Sequence, residues 1–153
     1  MTGLNSAGII GAAVDHMQTL GLFESVQGHE SVSAPGNGLT ADVWFGDVKP
    51  APLMSGLAVS SAILTLYARI YLNADGQPVD DTETIITGAV DQMLAAYSAA
   101  FTFGGLVEQI DLLGAYGTAL SAVGGYVEVG NVPYRCMTIT IPCVIDDVWP
   151  QIP

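Results

Sequence analysis

An α+β fold, in which two helices pack on one face of a mainly antiparallel sheet, is the architecture that this sequence predicts. Apolar residues recur at helical spacing over residues 6–20 and again over residues 80–100. Several other segments alternate apolar and polar residues, as half-buried strands do. These strands follow one another in runs, which favours an antiparallel sheet. No linker or repeat divides the sequence, so we expect one domain over residues 1–153.

The first helix is predicted over residues 6–20. Asn5 or Ser6 can cap its start, and Gly21 suits the left-handed conformation that ends many helices. The residues of its apolar stripe are Ile10, Ala13, Val14, Met17 and Leu20. Residues 31–40 are rich in glycine, proline, asparagine and serine, and they predict a loop.

The clearest strand is predicted over residues 59–72. Its even-numbered positions from Ala62 to Leu72 are apolar, whereas its odd-numbered positions are mixed. One face of this strand should therefore lie on a core. A strand is also expected over residues 39–45, and residues 73–76 are expected to form a turn.

The second helix is expected to begin with a capping box between Asp80 and Glu83 and to end near residue 100. Its apolar stripe is formed by Ile86, Ala89, Val90, Met93, Leu94 and Tyr97. Aspartates in its first turn suit the positive end of the helix dipole. Residues 106–113 then predict a further strand.

The C-terminal part of the sequence predicts a hairpin. Gly130 and Asn131 form a two-residue turn signal between apolar stretches. The strands are expected over residues 126–129 and 134–144. Because Pro142 has no N–H group, we expect that end of the last strand to lie at an edge or beyond the pairing.

The charge of the chain is low and almost entirely negative. Three basic residues, Lys49, Arg69 and Arg135, stand against fifteen acidic ones, and only 12% of the chain is charged. The net charge of −12 excludes the clustered basic face that binds nucleic acid. A soluble monomer usually covers itself with about a quarter charged residues. Either a membrane or other protein subunits should therefore cover part of this surface.

The membrane alternative is not favoured. Residues 50–68 carry no charge, but they contain two prolines and alternate from Val59 onward, so they predict a strand. The first residues lack the positive start of a signal peptide. We therefore expect oligomerisation to cover the poorly charged surface.

The two cysteines, Cys136 and Cys143, are expected to be free. Seven positions apart on one strand, they would lie on opposite faces and about 23 Å from each other, too far for a disulfide. Two small buried side chains in a reducing cytosol account for them.

The sequence gives little support for any group of catalytic residues. His16 follows Asp15, but sequence neighbours on a helix point about 100° apart. His29-Glu30 lacks further ligands at the spacing of a zinc site. We therefore expect no catalytic residues, no metal and no cofactor.

Two pairs of carboxylates have structural interpretations. Asp80-Asp81 suits a helix start, and Asp146-Asp147 suits a solvated or interface segment. A two-carboxylate hydrolase is the alternative, and nothing else in the sequence supports it.

Five stretches, spread over nearly the whole chain between residues 12 and 149, read AAVDHMQTLGLFESVQGHE, APGNGLTADVWFGDV, AVSSAILTLYARIY, AVDQMLAAYS and IDLLGAYGTALSAVGGYVEVGNVPYRCMTITIPCVIDDVW. In their residues and in their order along the chain, they resemble the tail terminator proteins of phages with long, non-contractile tails, particularly phages of actinobacterial hosts. The resemblance does not include a catalytic signature.

The resemblance implies a ring-forming structural subunit of the virion, assembled in the host cytoplasm. Six copies would form a ring that caps the completed tail tube, ends its polymerisation and joins it to the head-side connector. The implied partners are other copies of the chain, the tail tube protein and the connector or stopper protein. DNA would pass through the lumen without specific binding, and no membrane is involved.

Two alternatives remain open at this stage. The chain can be another neck or tube ring protein, such as a stopper, a head-completion protein or a tail-tube subunit. It can also be a small α+β ligand-binding or hydrolytic domain. The pocket of such a domain would lie between helices and sheet, with Tyr67, Tyr71 and Tyr97 among its polar groups.

For a ring, we expect acidic residues to outnumber basic ones at the lumen, since like charges keep DNA from adhering. The loop segments 46–56 and 73–81 are the candidates for lumen or axial contacts. The loop carboxylates that are candidates for the lumen are Asp42, Asp47, Asp75, Asp80 and Asp81. The expected aromatic interface anchors are Trp44, Phe45 and Trp149, with a core position as the alternative for Trp44.

Overall fold

The computed structural model describes residues 4–31, 38–51, 59–75, 78–99 and 102–150. These residues form two helices, six strands and one short 3₁₀ helix, Phe103–Gly105. The elements in chain order are α1 (Ser6–Thr19), β1 (Ser25–Gln27), β2 (Thr40–Pro50), β3 (Val59–Asn73), α2 (Val79–Ala99), β4 (Gln109–Ile110), β5 (Ser121–Val129) and β6 (Val132–Pro150).

All six strands belong to one sheet. Its order is β1-β2-β3-β6, and both β4 and β5 pair with the remaining edge of β6. Only β1 and β2 are parallel; every other pair is antiparallel. Side chains of α1 and α2 join one hydrophobic cluster with a single face of the sheet, which we call the helix side. The predicted α+β fold is therefore confirmed.

The helices begin and end close to the predicted residues. The Asn5 side chain accepts a hydrogen bond from the Gly8 N–H at 3.3 Å and so caps α1. Gly21, with a φ of 69°, follows the end of α1 in the predicted left-handed conformation. The predicted capping box of α2 is wrong, because the helix begins at Val79 and the Glu83 carboxylate bonds to Arg135 instead.

Strand β3 is the centre of the sheet and is buried on both faces for much of its length. Its even-numbered side chains lie on the helix side, as the alternation predicts; the fully buried ones include Leu64, Leu66 and Ile70. On the opposite face, which we call the open face, Ile63 and Tyr71 are also buried. Tyr71 packs edge-to-face on Tyr134, with ring centroids 6.0 Å apart.

Two bulges keep apolar side chains on the helix side of the sheet. In β2 the register shifts at Gly46, where a Cβ atom would lie 2.9 Å from the Thr65 carbonyl oxygen and closer still to the Tyr67 ring. In β6 the register shifts around Asp146 and Asp147. At this second bulge β6 advances four residues, from Ile145 to Trp149, while β3 advances two, and Val148 belongs to the core.

The hydroxyl group of Ser61 holds the bulge of β6. It donates to Asp146 Oδ1 at 2.6 Å and accepts from the Asp147 N–H at 3.2 Å. Asp147 has a φ of 52°, which a bulge tolerates in aspartate more readily than in most residues. This carboxylate pair therefore shapes the strand.

The hairpin turn is confirmed. Gly130 and Asn131 both have positive φ values, of 58° and 65°, as a type I′ turn requires. The strand predicted over residues 106–113 is wrong for most of its length, because only Gln109–Ile110 pairs as β4. The chain then turns at Asp111, which accepts hydrogen bonds from the three N–H groups of residues 114–116.

The prediction for Pro142 is also wrong. It lies within β6, where it is paired with Thr65 of β3. Its carbonyl accepts from the Asp111 N–H at 2.8 Å, on the β4 side. Since the N–H and C=O of one antiparallel residue point to the same neighbour, the missing donor of Pro142 points toward β4 and leaves the β3 ladder intact.

The prediction for the cysteines is confirmed: both are free and buried on opposite faces of β6. Cys143 belongs to the helix-side core, and Cys136 packs with Tyr71 and Tyr134. Burial raises the pKa of the Cys143 thiol to about 12, which disfavours the reactive thiolate.

We predict that Leu66→Ala lowers the free energy of unfolding by about 2–5 kcal/mol, because it leaves a cavity at the centre of the core. Leu66 is fully buried. Leu113, which is 93% exposed, gives a matched control, and Leu113→Ala should change the value by less than about 0.5 kcal/mol. Denaturant unfolding at one fixed protein concentration measures both. Equal losses in the two variants would contradict the assignment of the core.

Candidate interaction surfaces

The predicted lumen carboxylates do not form one group. Asp75 lies in the turn after β3, and Asp80 and Asp81 lie in the first turn of α2. Arg135 of β6 bonds to Glu83 and pairs with Leu72, so these three carboxylates lie near one end of the sheet. Asp47 lies apart from them, on β2 beside Thr65, which is near the middle of β3.

Asp42 corrects the prediction most clearly. It was expected in a loop, but it lies on β2 and is fully buried. Its Oδ2 accepts from the Ser31 N–H at 2.8 Å, and its ladder neighbour is Arg69. Asp47 also lies on a strand, since β2 continues to Pro50. Of the two predicted loop segments, residues 52–56 and 76–77 lie outside the described residues.

The three predicted aromatic anchors have different environments. Trp44 is half-buried on the open face, with the Arg69 guanidinium carbon 5.1 Å from its ring centroid. Phe45 is 41% exposed on the helix side. Trp149 is half-buried and packs against the core. The structure therefore leaves Phe45 as the most exposed of the three.

Two of the three cations have partners within the subunit. Arg69 bonds to Thr138 Oγ1 at 3.1 Å on the open face and lies 3.8 Å from a Glu30 oxygen. Arg135 bonds to Glu83 Oε1 at 2.6 Å. Lys49 is exposed and has no ion pair with the residues that the structure describes.

Arg135 also ties the β5 strand to the rest of the subunit. Its guanidinium donates to the Gly125 carbonyl at 2.8 Å and lies 5.0 Å from the centroid of the Tyr126 ring. Through Glu83, the same side chain reaches α2. The cation therefore joins β5, β6 and α2, although the sequence showed it only as one of three scattered charges.

Exposed apolar side chains are the surface feature that the sequence did not reveal. The large ones among the described residues are Phe45, Val48, Ile85, Leu106, Leu113, Val123 and Tyr126. Val123 and Tyr126 lie on β5, each 68% exposed. The glycine pair at positions 124–125 interrupts the alternating pattern of this strand. The sequence therefore predicted only its residues 126–129.

Leu113 lies on a loop that is held by several hydrogen bonds. The Asp111 carboxylate, itself buried, accepts from the N–H groups of Gly114, Ala115 and Tyr116 at 3.1, 2.9 and 2.9 Å. The Asp111 carbonyl accepts from the Leu120 N–H at 3.1 Å, which closes the loop. An open depression of about 340 Å³ lies beside Leu113.

The histidines do not form a catalytic group with their predicted neighbours. The His16 ring lies between α1 and α2, 5.1 Å from the Tyr97 ring centroid, and burial lowers its pKa. His29 is exposed, with its Nδ1 3.0 Å from the Glu30 carbonyl oxygen. Within the described ranges, no group of three His, Cys, Asp or Glu side chains is placed to hold a metal ion.

The tyrosines proposed for a ligand pocket do not converge. Tyr97 belongs to the helix-side core, whereas Tyr67 and Tyr71 lie on the open face of β3. A pocket between helices and sheet would therefore not be lined by all three. The open face has its own depression of about 270 Å³ near Arg69, Val123 and Thr138.

None of the helices in the described part of the chain is long and apolar enough to cross a membrane. Residues 59–68 of the uncharged segment belong to β3.

Comparison with protein-family models and with curated proteins finds no match to this chain.

We predict that the Glu83–Arg135 pair makes stability depend on pH. The hydrogen bond from Arg135 lowers the pKa of Glu83 below its ordinary value of 4.5. The stabilisation is therefore present above about pH 4.5 and is lost as the pH falls through the lower, folded-state pKa. Glu83→Gln should lower the melting temperature at pH 7, and the difference should shrink in acid.

The matched control for Glu83→Gln is Asp91→Asn, which removes an exposed α2 carboxylate that has no ion pair in the described structure. Melting temperatures of the wild type and both variants, measured between pH 7 and pH 3, decide the point. A Glu83→Gln profile parallel to the wild type at every pH would contradict the assigned role of the pair.

Proposed function

We propose that this protein is a structural subunit of a closed ring in a phage virion, a tail terminator that caps the completed tail tube. The observation that carries the proposal is the surface: among the described residues seven large apolar side chains are at least 36% exposed, on a chain with only three cations. Phe45 and Val48 lie together on the helix side of β2, and adjoining exposed apolar groups favour protein contacts. The assignment to the tail terminator family rests on the resemblance of the five sequence stretches.

Assembly into a ring accounts for the scarcity of charge. A ring subunit is covered by two lateral neighbours and by a partner on at least one axial side, so little of its surface needs charged groups for solubility. Two of its three cations are engaged in pairs within the subunit. Most carboxylates are exposed; of the fifteen, only Asp42 and Asp111 are buried.

The distribution of carboxylates suits a passage for DNA. Asp75, Asp80 and Asp81 lie near one end of the sheet, and the exposed Asp146 and Asp147 of the β6 bulge lie near the other. DNA would therefore meet negative charge at either end of the subunit. Repulsion between like charges lets the duplex move without being held.

The candidate catalytic groups have structural roles in the subunit, which supports a non-enzymatic function. His16 packs among aromatic rings, and Asp146 bonds to Ser61 in a bulge. Asp80 and Asp81 lie at the start of α2, where the helix dipole favours negative charge. We therefore propose that binding of other subunits, and not a reaction, is the function of this chain.

Electron microscopy tests the proposal. The purified protein should form rings with a central channel, and antibodies against it should label the junction of head and tail in virions. Labelling along the whole tube would identify a tube subunit instead. A protein that stays monomeric and is absent from the junction would contradict the proposal.

We predict that the assembled protein is not retained by duplex DNA, even at low salt. Its net charge of −12 per subunit gives no basic surface that releases counterions from phosphates. A gel-shift titration at low ionic strength measures retention, with a basic DNA-binding protein of similar size as the positive control. Retention that weakens as salt is added would contradict the proposed acidic passage.

A further inference from the structure

The direction of the strands allows the sheet to continue from one copy to the next. Across β2, β3, β6 and β5, each neighbouring pair is antiparallel. Because these strands are even in number, β2 and β5 run in opposite directions. A second copy related by a rotation about an axis roughly along the strands would therefore place its β2 antiparallel to β5 of the first.

Both of these strands have an outer edge that no other described strand covers. Strand β5 pairs only with β6, over nine residues. Strand β1 covers β2 only from Thr40 to Asp42, so the outer edge of residues 43–50 lacks a paired strand in the described ranges. The two edges are similar in length, at nine and eight residues.

Strand β5 lacks the usual protection against pairing. Natural edge strands are commonly guarded by lysine, by proline or by a bulge. Strand β5 contains neither lysine nor proline and has one charged residue, Glu128. Strand β2 is partly guarded, by its bulge at Gly46 and by Lys49 and Pro50 at its end. The edge of β5 is therefore a ready template for another strand.

Exposed apolar side chains of the two edges lie on the same side of the sheet. Phe45 and Val48 lie on the helix side of β2, 41% and 36% exposed. Tyr126 lies on the helix side of β5, because it is paired with Arg135, and it is 68% exposed. In a continued sheet these apolar groups share one face, where neighbouring strands pack their side chains together.

From these observations we infer that β5 of one copy pairs antiparallel with residues 43–50 of β2 in the next copy. The inference rests on the proposed function in one respect, that the partner is a second copy of this chain. The contact is head-to-tail, so it generates a ring when the rotation closes and a filament when it does not. A β5–β5 contact would leave the β2 edge uncovered.

Two variants, each with one disabled edge, test the inference. Val123→Glu with Tyr126→Glu disables β5, and Phe45→Glu with Val48→Glu disables β2. Each variant alone should be monomeric, because every head-to-tail contact then contains one altered edge. Mixed, they should form a one-to-one heterodimer through the two unaltered edges and stop there, at twice the subunit mass.

Leu113→Glu serves as the control, because Leu113 is 93% exposed and lies on neither edge; it should assemble like the wild type. Native mass spectrometry or sedimentation measures each sample, and circular dichroism checks that the variants are folded. Variants that assemble alone, or that stay monomeric when mixed while the wild type assembles, would overturn the inference and leave the proposed ring intact. A wild type that is monomeric at every concentration would contradict both.

Hydrogen exchange of the wild type gives a second test that needs no variant. In the assembled protein, peptides covering residues 43–50 and 121–129 should both exchange more slowly than in the diluted, dissociated protein. Slower exchange in only one of the two segments, or in neither, would overturn the inference, since strand pairing protects both edges together.

Discussion

Burial of β3 on both faces is the constraint on which the rest of this structure depends. A strand that is apolar at every even position from Ala62 to Leu72 needs a covered face, and the two helices supply the cover. Its odd positions Ile63 and Tyr71 are buried as well. Because β3 lies inside the sheet between β2 and β6, the uncovered edges of the described sheet lie on β5 and on residues 43–50 of β2.

The few cations reinforce this arrangement from opposite faces. Arg69 joins β3 to β6 on the open face through Thr138, and Arg135 joins β6 to β5 and α2 on the helix side. A subunit with three basic residues thus uses two of them within itself. Its outer surface then offers neighbours negative and apolar groups. Such a surface favours apolar contacts between copies over ion pairs.

Much of the fold was predictable because it depends on local periodicity. The stripes of α1 and α2, the alternation of β3 and the turn at Gly130-Asn131 all follow from sequence spacing. The parallel pairing of β1 was not predictable, since three residues carry no period. The early end of β4 depends on Asp111, whose carboxylate captures three backbone N–H groups, a feature of tertiary geometry that sequence alone does not encode.

The surfaces were harder to predict than the core. Asp42 was expected to be exposed because aspartates usually are, but its place opposite Arg69 in the ladder buries it. Val123 and Tyr126 are exposed because β5 lies at the edge of the sheet, which the sequence did not predict. Exposure depends on which strands lack a neighbour, and that is a property of the whole sheet. The family resemblance implies a role, which is a proposal, and it implies no residues for these surfaces.

We propose that other copies of this chain cover its charge-poor surface and that the assembly closes. The mass of the purified protein in solution, followed over a wide range of concentration, separates this proposal from its alternatives. We expect one closed oligomer whose mass stays fixed once it has formed. A monomer at every concentration, or a mass that grows without limit, would contradict it.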